Sequence, residues 1–583
     1  MDSIFTKQVD SVCPLPEYPR PQLVRKDWLN LNGRYAYAIT EAKAACPTEF
    51  DGEILVPFSI ETPLSGVQKP LLPSQRLWYK RTFSISTAWQ GKHVLLHFGA
   101  VDWQCKVYVN GQRVGDHTGG YTAFTIDITE ALQNGENTLT VCVYDPTDVG
   151  WQQRGKQTLK THGFWYTATS GIWQTVWLEA VDDLYVRALR LTPQLDEQAI
   201  QIETILSRER ADVKRTLTIS FQGEQILKKE ITENESVAIE NPKLWSPETP
   251  NLYDIQLEIA VDDVVKDNVT SYFGMRKFSV EPDKFGVPRL FLNNQPYFQK
   301  GLLDQGYWPD GGLTAPTDEA MIFDIQSCKK LGFTMLRKHI KAEPLRWYYH
   351  CDRLGMLVWQ DMMSGGKYIG DFYAGFLPNI GFYNKIKDEN YKRFSRKEKK
   401  WRDNYLEELT ELVNQLYNTV SLYAWVPFNE AWGQFDAVKI ANYVHFLDST
   451  RPVDHASGWY DQGGGDMQSI HRYILPIHRP KPDHRAFVLS EFGGYARKVT
   501  GHLWNAKKAF GYVSFEDAQK LTDGYKKLFE KQVLPLVEKG LSAYIYTQVS
   551  DVENEVNGLF TYDRAVLKLD AKTIREINDS VTL

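Results

Sequence analysis

Leu422-Tyr423-Ala424-Trp425-Val426-Pro427-Phe428-Asn429-Glu430 is an apolar, strand-forming run that ends in an amide and a carboxylate. Further along, Ala486-Phe487-Val488-Leu489-Ser490-Glu491-Phe492-Gly493-Gly494 has the same form, closed by a glutamate, a phenylalanine and two glycines. Strands without polar alternation suit a parallel sheet covered on both faces. Their surroundings agree. Candidate strands at 297–300, 334–337, 357–359, 421–426, 467–470, 487–490 and 542–547 are interspersed with helical stretches such as 318–331, 345–354 and 401–417. About 300 residues of this alternation, from 282 to 583, predict a (β/α)8 TIM barrel. One or two of its strands are weakly marked, above all near 454–456.

Toward the N-terminus the texture changes twice. Residues 183–281 carry strand patterns at 185–191, 216–221 and 253–259, with proline-rich punctuation at 241–250, and close in a strand near 273–280. Their size predicts an immunoglobulin-like β-sandwich. Residues 1–182 hold short alternating strands with almost no helical period, such as Cys105-Lys106-Val107-Tyr108-Val109 running into the hairpin signal Asn110-Gly111. A jelly-roll β-sandwich is expected there. Three domains fit a chain of 583 residues, which is too long for a single core.

Composition narrows the function classes. Lys and Arg total 67 against 73 Asp and Glu, a net charge of −6. No basic tract is dense enough to follow a phosphate backbone, so nucleic acid is not an expected partner. The charged run 396–402 mixes signs and reads as a solvated helix start. No stretch approaches the roughly 18 apolar residues of a bilayer span, and no secretory signal pattern is visible. Six widely spaced cysteines without a C-x-x-C pair suit reduced thiols in a cytoplasmic protein, and neither a metal nor another cofactor is expected. Aromatic residues reach 13%, enough to fill large cores and also to offer flat rings to the C–H faces of sugars. A homo-oligomer is left open.

Two glutamates at the ends of different barrel strands are what cleavage of a glycosidic bond requires. One carboxyl protonates the leaving oxygen, and the other attacks the anomeric carbon or activates water. A single Asn-Glu or Ser-Glu is more often a cap or a surface turn. Two such strand ends in one barrel are a stronger signal, and Asn429 adds an amide able to hold a sugar hydroxyl beside the reacting carbon.

The whole chain resembles glycoside hydrolase family 2, the group of β-galactosidases, β-glucuronidases and β-mannosidases. In the first domain the resemblance rests on Val107-Tyr108-Val109-Asn110-Gly111, Gly119-Gly120-Tyr121-Thr122-Ala123-Phe124 and Ser170-Gly171-Ile172-Trp173-Gln174-Thr175-Val176-Trp177-Leu178. It continues through Phe273-Gly274-Met275-Arg276, Leu292-Asn293-Asn294-Gln295-Pro296 and the run Cys351 to Asp361, and ends on Asn429-Glu430 and Ser490-Glu491-Phe492-Gly493. It implies a retaining enzyme with Glu430 as general acid/base and Glu491 as nucleophile. Tyr473 resembles the family tyrosine that hydrogen-bonds the nucleophile, and Arg337 the arginine beside it. His339 stands two residues after Arg337, where the family usually spaces its sugar-contacting histidine by three. Asp304 takes the place where many relatives show a His-Glu pair. Gln548, just after the eighth strand, is a further candidate sugar contact.

After that strand β-glucuronidases carry an Asn-x-Lys motif for the substrate carboxylate. Here Glu555-Val556-Asn557 stands instead, with Glu553 nearby, which favours a neutral, galactoside-like glycone over a uronide. Lys338, Lys341 and Arg346 are cations that could reverse that preference. A β-glucuronide, β-mannoside or arabinoside remains the alternative, and outside enzymes a carbohydrate-binding protein that has lost activity. The segment 364–400, with Tyr368, Phe372, Tyr373, Phe376, Phe382, Tyr383 and Tyr391, is long for a barrel loop and is expected to shape the cleft.

Overall fold

The computed structural model describes residues 1–370, 377 and 386–583. Phe372, Tyr373, Phe376, Phe382 and Tyr383 of the long loop lie outside the described residues. The first domain is a jelly-roll sandwich. One sheet holds Gly52–Val56, Gly33–Glu41, Gln75–Ser84, Glu136–Tyr144, Gln104–Val109 and Gln112–Thr118 in that order. Facing it are Trp28–Asn30, Val176–Val181, His93–Phe98 and Phe124–Asp127. Cys105, Val107 and Val109 point into the core between the sheets. Val109 pairs with Gln112, so Asn110-Gly111 is a two-residue turn with φ of 51° and 81°. Only residues tolerant of positive φ make that primed turn.

The second domain packs a three-stranded sheet (Val186–Gln194, Ala199–Leu206, Asn234–Ala238) on a four-stranded one (Glu224–Ile231, Lys214–Phe221, Tyr253–Val261, Val264–Phe273). Its last strand stops at Phe273, so the single strand expected near 273–280 is divided. Phe278–Pro282 instead pairs with Pro288–Leu292. Phe278, Leu290 and Leu292 share a core with the barrel residues Met335, Leu357, Val426, Val488 and Ile545, and this hairpin therefore belongs to the barrel.

In the barrel the parallel strands run Leu422–Val426, Leu357–Asp361, Met335–Lys338, Gln299–Asp304, Leu541–Thr547, Ala486–Gly493 and Met467–Arg472 around the sheet. The strand Gln299–Asp304 runs a few residues beyond the predicted 297–300, with Asp304 at its end as expected. The weakly marked position between the two edge strands is filled by 453–457. Val453 bridges Trp425 and Ser457 bridges Asn429, both in parallel sense, without forming a continuous ladder. Two features of the sequence explain this. Pro452 removes a donor at its start, and Gly458 with φ of 86° ends it.

The run 396–402 is only partly solvated. Lys397 to Lys400 are exposed and lead into the helix Lys399–Leu416, but Arg396 is fully buried and donates to the carbonyls of Gly433 and Ser364. Apolar burial alone did not reveal it, because two backbone carbonyls of the barrel mouth supply its partners.

Candidate active site

Glu430 follows the strand Leu422–Val426 and takes φ of 47°, with Ala431 at 61°. Left-handed backbone at a non-glycine residue costs of order 1 kcal/mol or more and needs outside support. Here the backbone of 453–457 supplies it: Ser457 N–H donates to Phe428 O and Glu430 N–H to Ser457 O, each at 2.9 Å. The tight turn leaves the Glu430 side chain 30% exposed at the base of a pocket. Burial there pushes its carboxyl up to about 7, against the pull of Lys156 and Arg337, while Glu555 adds to the rise.

Glu491 lies inside the strand Ala486–Gly493 with its side chain 4% exposed. Arg337 Nη1 donates to its Oε1 at 3.2 Å, and the Tyr473 hydroxyl donates to its Oε2. Tyr473 is held in turn by stacking on Tyr512, ring centroids 3.9 Å apart. Arg337 is fully buried and serves three oxygen-bearing neighbours besides Glu491. It makes a two-pronged pair with Asp361 at 2.9 and 3.1 Å and donates to Asn429 Oδ1 at 2.8 Å and to Ser490 O at 3.1 Å. Asn429, its Oδ1 so occupied, is among the residues that line the pocket.

Of the residues singled out in the sequence, Glu430, Glu491, Asn429 and Tyr473 line one pocket, and Arg337 stands directly behind them. His339 is buried with Nδ1 on Asp361 at 2.8 Å, and its Nε2 has no protein partner. Asp304 and Gln548 do not line the pocket. Asp304 accepts from Lys338 Nζ at 2.7 Å and from Gly306 N–H, and Gln548 donates to Asn557 Oδ1 at 2.6 Å.

The pocket also draws on residues that no strand-end reading finds. Phe164, Trp165 and Lys156 come from the first domain, and Tyr368, Trp432 and Tyr512 from barrel loops. The aromatic walls fit the sugar-stacking use anticipated for part of the aromatic content. Trp165 crosses Trp432 edge-to-face at 5.0 Å and Tyr368 at 5.3 Å. First-domain contacts occupy the two acidic residues after the eighth strand: the Tyr166 hydroxyl donates to Glu555, and Thr167 N–H to Glu553 at 2.8 Å. Lys338 and Lys341 are taken by Glu343, and Arg346 by Asp318. Among the described residues the Lys156 ammonium has no hydrogen-bond partner, and it lies 5.5 Å from the Phe164 ring centroid.

His471 was legible only as the neighbour of Tyr473, yet it stands between the two glutamates. Its Nδ1 is 2.8 Å from Glu430 Oε1 and its Nε2 3.7 Å from Glu491 Oε1. Among the described residues, Glu430, His471 and Glu491 are the one group whose potential ligand atoms all lie within 4.8 Å of one another. Within this group Glu430 and His471 are hydrogen-bonded to each other, while Glu491 Oε1 accepts from Arg337. Among the described residues no helix is long and apolar enough to cross a membrane.

Three family models match in sequence: the sugar binding domain of glycosyl hydrolases family 2 at 28–181, a second domain of that family at 184–276, and its TIM barrel domain at 288–578. Among curated proteins, a β-galactosidase of Thermoanaerobacter pseudethanolicus is 25% identical over 72% of this chain and 54% of its own length. A putative β-glucuronidase of Formosa agariphila is 28% identical over 72% of this chain and 50% of its own. The chain thus spans about half the length of these relatives. Among solved structures, a β-D-glucuronidase of Dictyoglomus thermophilum superposes with a TM-score of 0.75 at 17% identity, covering 97% of this chain and 99% of that one. A β-galacturonidase of Eisenbergiella tayi bound to galacturonate gives 0.72 at 16%, covering 97% of this chain and 100% of the other. With all three of its domains matched in order and the same jelly-roll, immunoglobulin-like and barrel architecture in the structure, this chain belongs to glycosyl hydrolases family 2.

Proposed function

We propose that this chain is a retaining exo-glycosidase that removes a terminal β-linked sugar by double displacement. One observation carries the reading: an oxygen of Glu430 and an oxygen of Glu491 lie within 4.8 Å of each other. Retaining enzymes hold their carboxyls about 5–5.5 Å apart, whereas inverting ones leave roughly 6.5–9.5 Å for a water molecule. Glu491, aimed by Arg337 and Tyr473, attacks the anomeric carbon as Glu430 gives its proton to the departing glycosidic oxygen. Water then enters on the vacated side. Glu430 takes its proton, and the glycosyl ester to Glu491 is broken. The Asn429 amide donates to a sugar hydroxyl, and the rings of Trp165 and Trp432 cover the apolar faces.

For the glycone, a neutral, galactoside-like sugar is favoured because Asn557 stands in place of the Asn-x-Lys lysine, the cations after the eighth strand, Arg564 and Lys568, are bound to Asp324 and Asp551, and Lys338, Lys341 and Arg346 are bound to carboxylates too. Lys156 favours a second reading, an acidic sugar, since it lines the pocket and its ammonium, without a carboxylate partner among the described residues, would gain one from the substrate. Both sugar classes occur among the names of the relatives. A panel of nitrophenyl glycosides separates the readings. The neutral one expects kcat/KM on the galactoside at least about tenfold above that on the glucuronide and the galacturonide, and little change in Lys156→Gln. Faster turnover of a uronide, lost in Lys156→Gln, would establish the acidic sugar instead.

A further inference from the structure

We propose that His471 is a positioning residue that holds Glu430 Oε1 through an Nδ1–H donor, so that the proton exchanged with substrate and water rides on Oε2. The inference rests on the double-displacement reading of Glu430 and Glu491.

His471 is next to last in the strand Met467–Arg472. A register shift between Ile470 and His471 sets it level with Glu491 on the neighbouring strand. Its ring is fully buried. Nδ1 meets Glu430 Oε1 at 2.8 Å, while Nε2 meets Ser457 Oγ at 3.0 Å and Arg337 Nη1 at 3.5 Å. A guanidinium can only donate. An ionised Glu430 can only accept, so with its Oε1 at 2.8 Å the ring proton sits on Nδ1 and Nε2 is left as the acceptor facing Arg337. Burial and the Arg337 charge, partly opposed by Glu491, push the imidazole down to about 4, which keeps the ring neutral at pH 7 with that single proton.

The other charged groups around this pair are accounted for. Asp361 lies behind Arg337, Arg472 adjoins on the same strand, and Lys156 and Glu555 act on Glu430 from the first domain and from the loop after the eighth strand. The Nδ1–H donor fits both states of Glu430. It supports the carboxylate when Glu430 must act as base, and it leaves Oε2 as the oxygen that carries the proton when Glu430 must act as acid. The backbone makes room for this ring. A Cβ on Gly458 would fall 2.5 Å from His471 Cγ and 2.6 Å from Nδ1, so the chain turn that supports Glu430 also seats its hydrogen-bond partner.

The test compares His471→Leu, which keeps apolar bulk but no donor, with His471→Asn, whose amide N–H can take the place of Nδ1–H. In His471→Leu the alkaline limb of kcat/KM should rise by about one pH unit, because the carboxylate form loses its donor. Turnover limited by hydrolysis of the glycosyl enzyme should fall about 10- to 100-fold. His471→Asn should restore both to within about fivefold of the parent. An unmoved alkaline limb in His471→Leu, or equal losses in the two variants, would overturn the inference. If neither variant folds, ¹⁵N NMR of the histidine-labelled parent decides, since Nδ1 must appear protonated and Nε2 unprotonated from pH 6 to 8, and the reverse tautomer refutes it. Failure of the double-displacement reading is separately visible, because it would leave Glu491→Gln active.

Discussion

Glu491 and Glu430 stand at the C-terminal side of two strands of the same barrel, and the protein treats them in opposite ways. Glu491 stays within its strand, is nearly inaccessible, and has both oxygens occupied by rigid donors, Arg337 and Tyr473. Glu430 sits past its strand in left-handed backbone, is partly open to the pocket, and has one side-chain hydrogen-bond partner among the described residues, His471. The difference matches what the proposed double displacement would ask of each carboxyl. A nucleophile needs a fixed aim and a dependable charge. A group that gives and regains a proton needs low polarity around it and few donors, so that both protonation states are within reach near neutral pH.

The harshest way to break this comparison is Glu491→Gln. The amide cannot form the glycosyl ester, and turnover of an aryl glycoside should fall by roughly 10⁴-fold or more with the circular dichroism spectrum unchanged. Activity near that of the parent would end the assignment. Glu430→Ala should be more selective. Substrates with poor leaving groups should lose about 10²- to 10⁴-fold, activated ones far less, and azide should restore turnover with a β-glycosyl azide as product. Absence of azide rescue together with indifference to leaving-group acidity would move the acid/base role elsewhere.

Tyr473→Phe sharpens the nucleophile side. One hydrogen bond to a charged group contributes about 1.5–3 kcal/mol, so a loss of roughly 10- to 100-fold in kcat/KM is expected, with little change in melting temperature. The gentlest probe is pH. Glu430 must be protonated for the first step and its carboxyl is raised to about 7, so kcat/KM should decline as pH rises through about 7, by about tenfold per unit beyond. A profile flat to pH 9 would show that Glu430 is not the acid.

Much of this was legible in the chain itself. Strand runs that end in Asn429-Glu430 and Ser490-Glu491 announced both the barrel and the pair of carboxyls, because apolar, strand-forming runs and their polar ends are local properties. Tyr473 and Arg337 were legible through the motif around them. Asp304 and Gln548 were candidates by position, but they pair with Lys338 and Asn557 and are not among the residues that line the pocket, and a linear pattern carries no record of such pairings. Lys156, Phe164 and Trp165 escaped notice because they lie in another domain, more than 250 residues from Glu430, and only docking of the jelly-roll on the barrel mouth brings them to the pocket.

The sequence by itself determined the three domains, the strand period of each, and which two glutamates stand at strand ends, since these depend on neighbours within a few residues. Only the tertiary structure decided which glutamate is clamped and which is poised. Burial, the register shift that brings His471 beside Glu491, and the backbone of 453–457 that supports Glu430 are long-range effects of closing the barrel, and charge and proton affinity respond to them through space rather than along the chain.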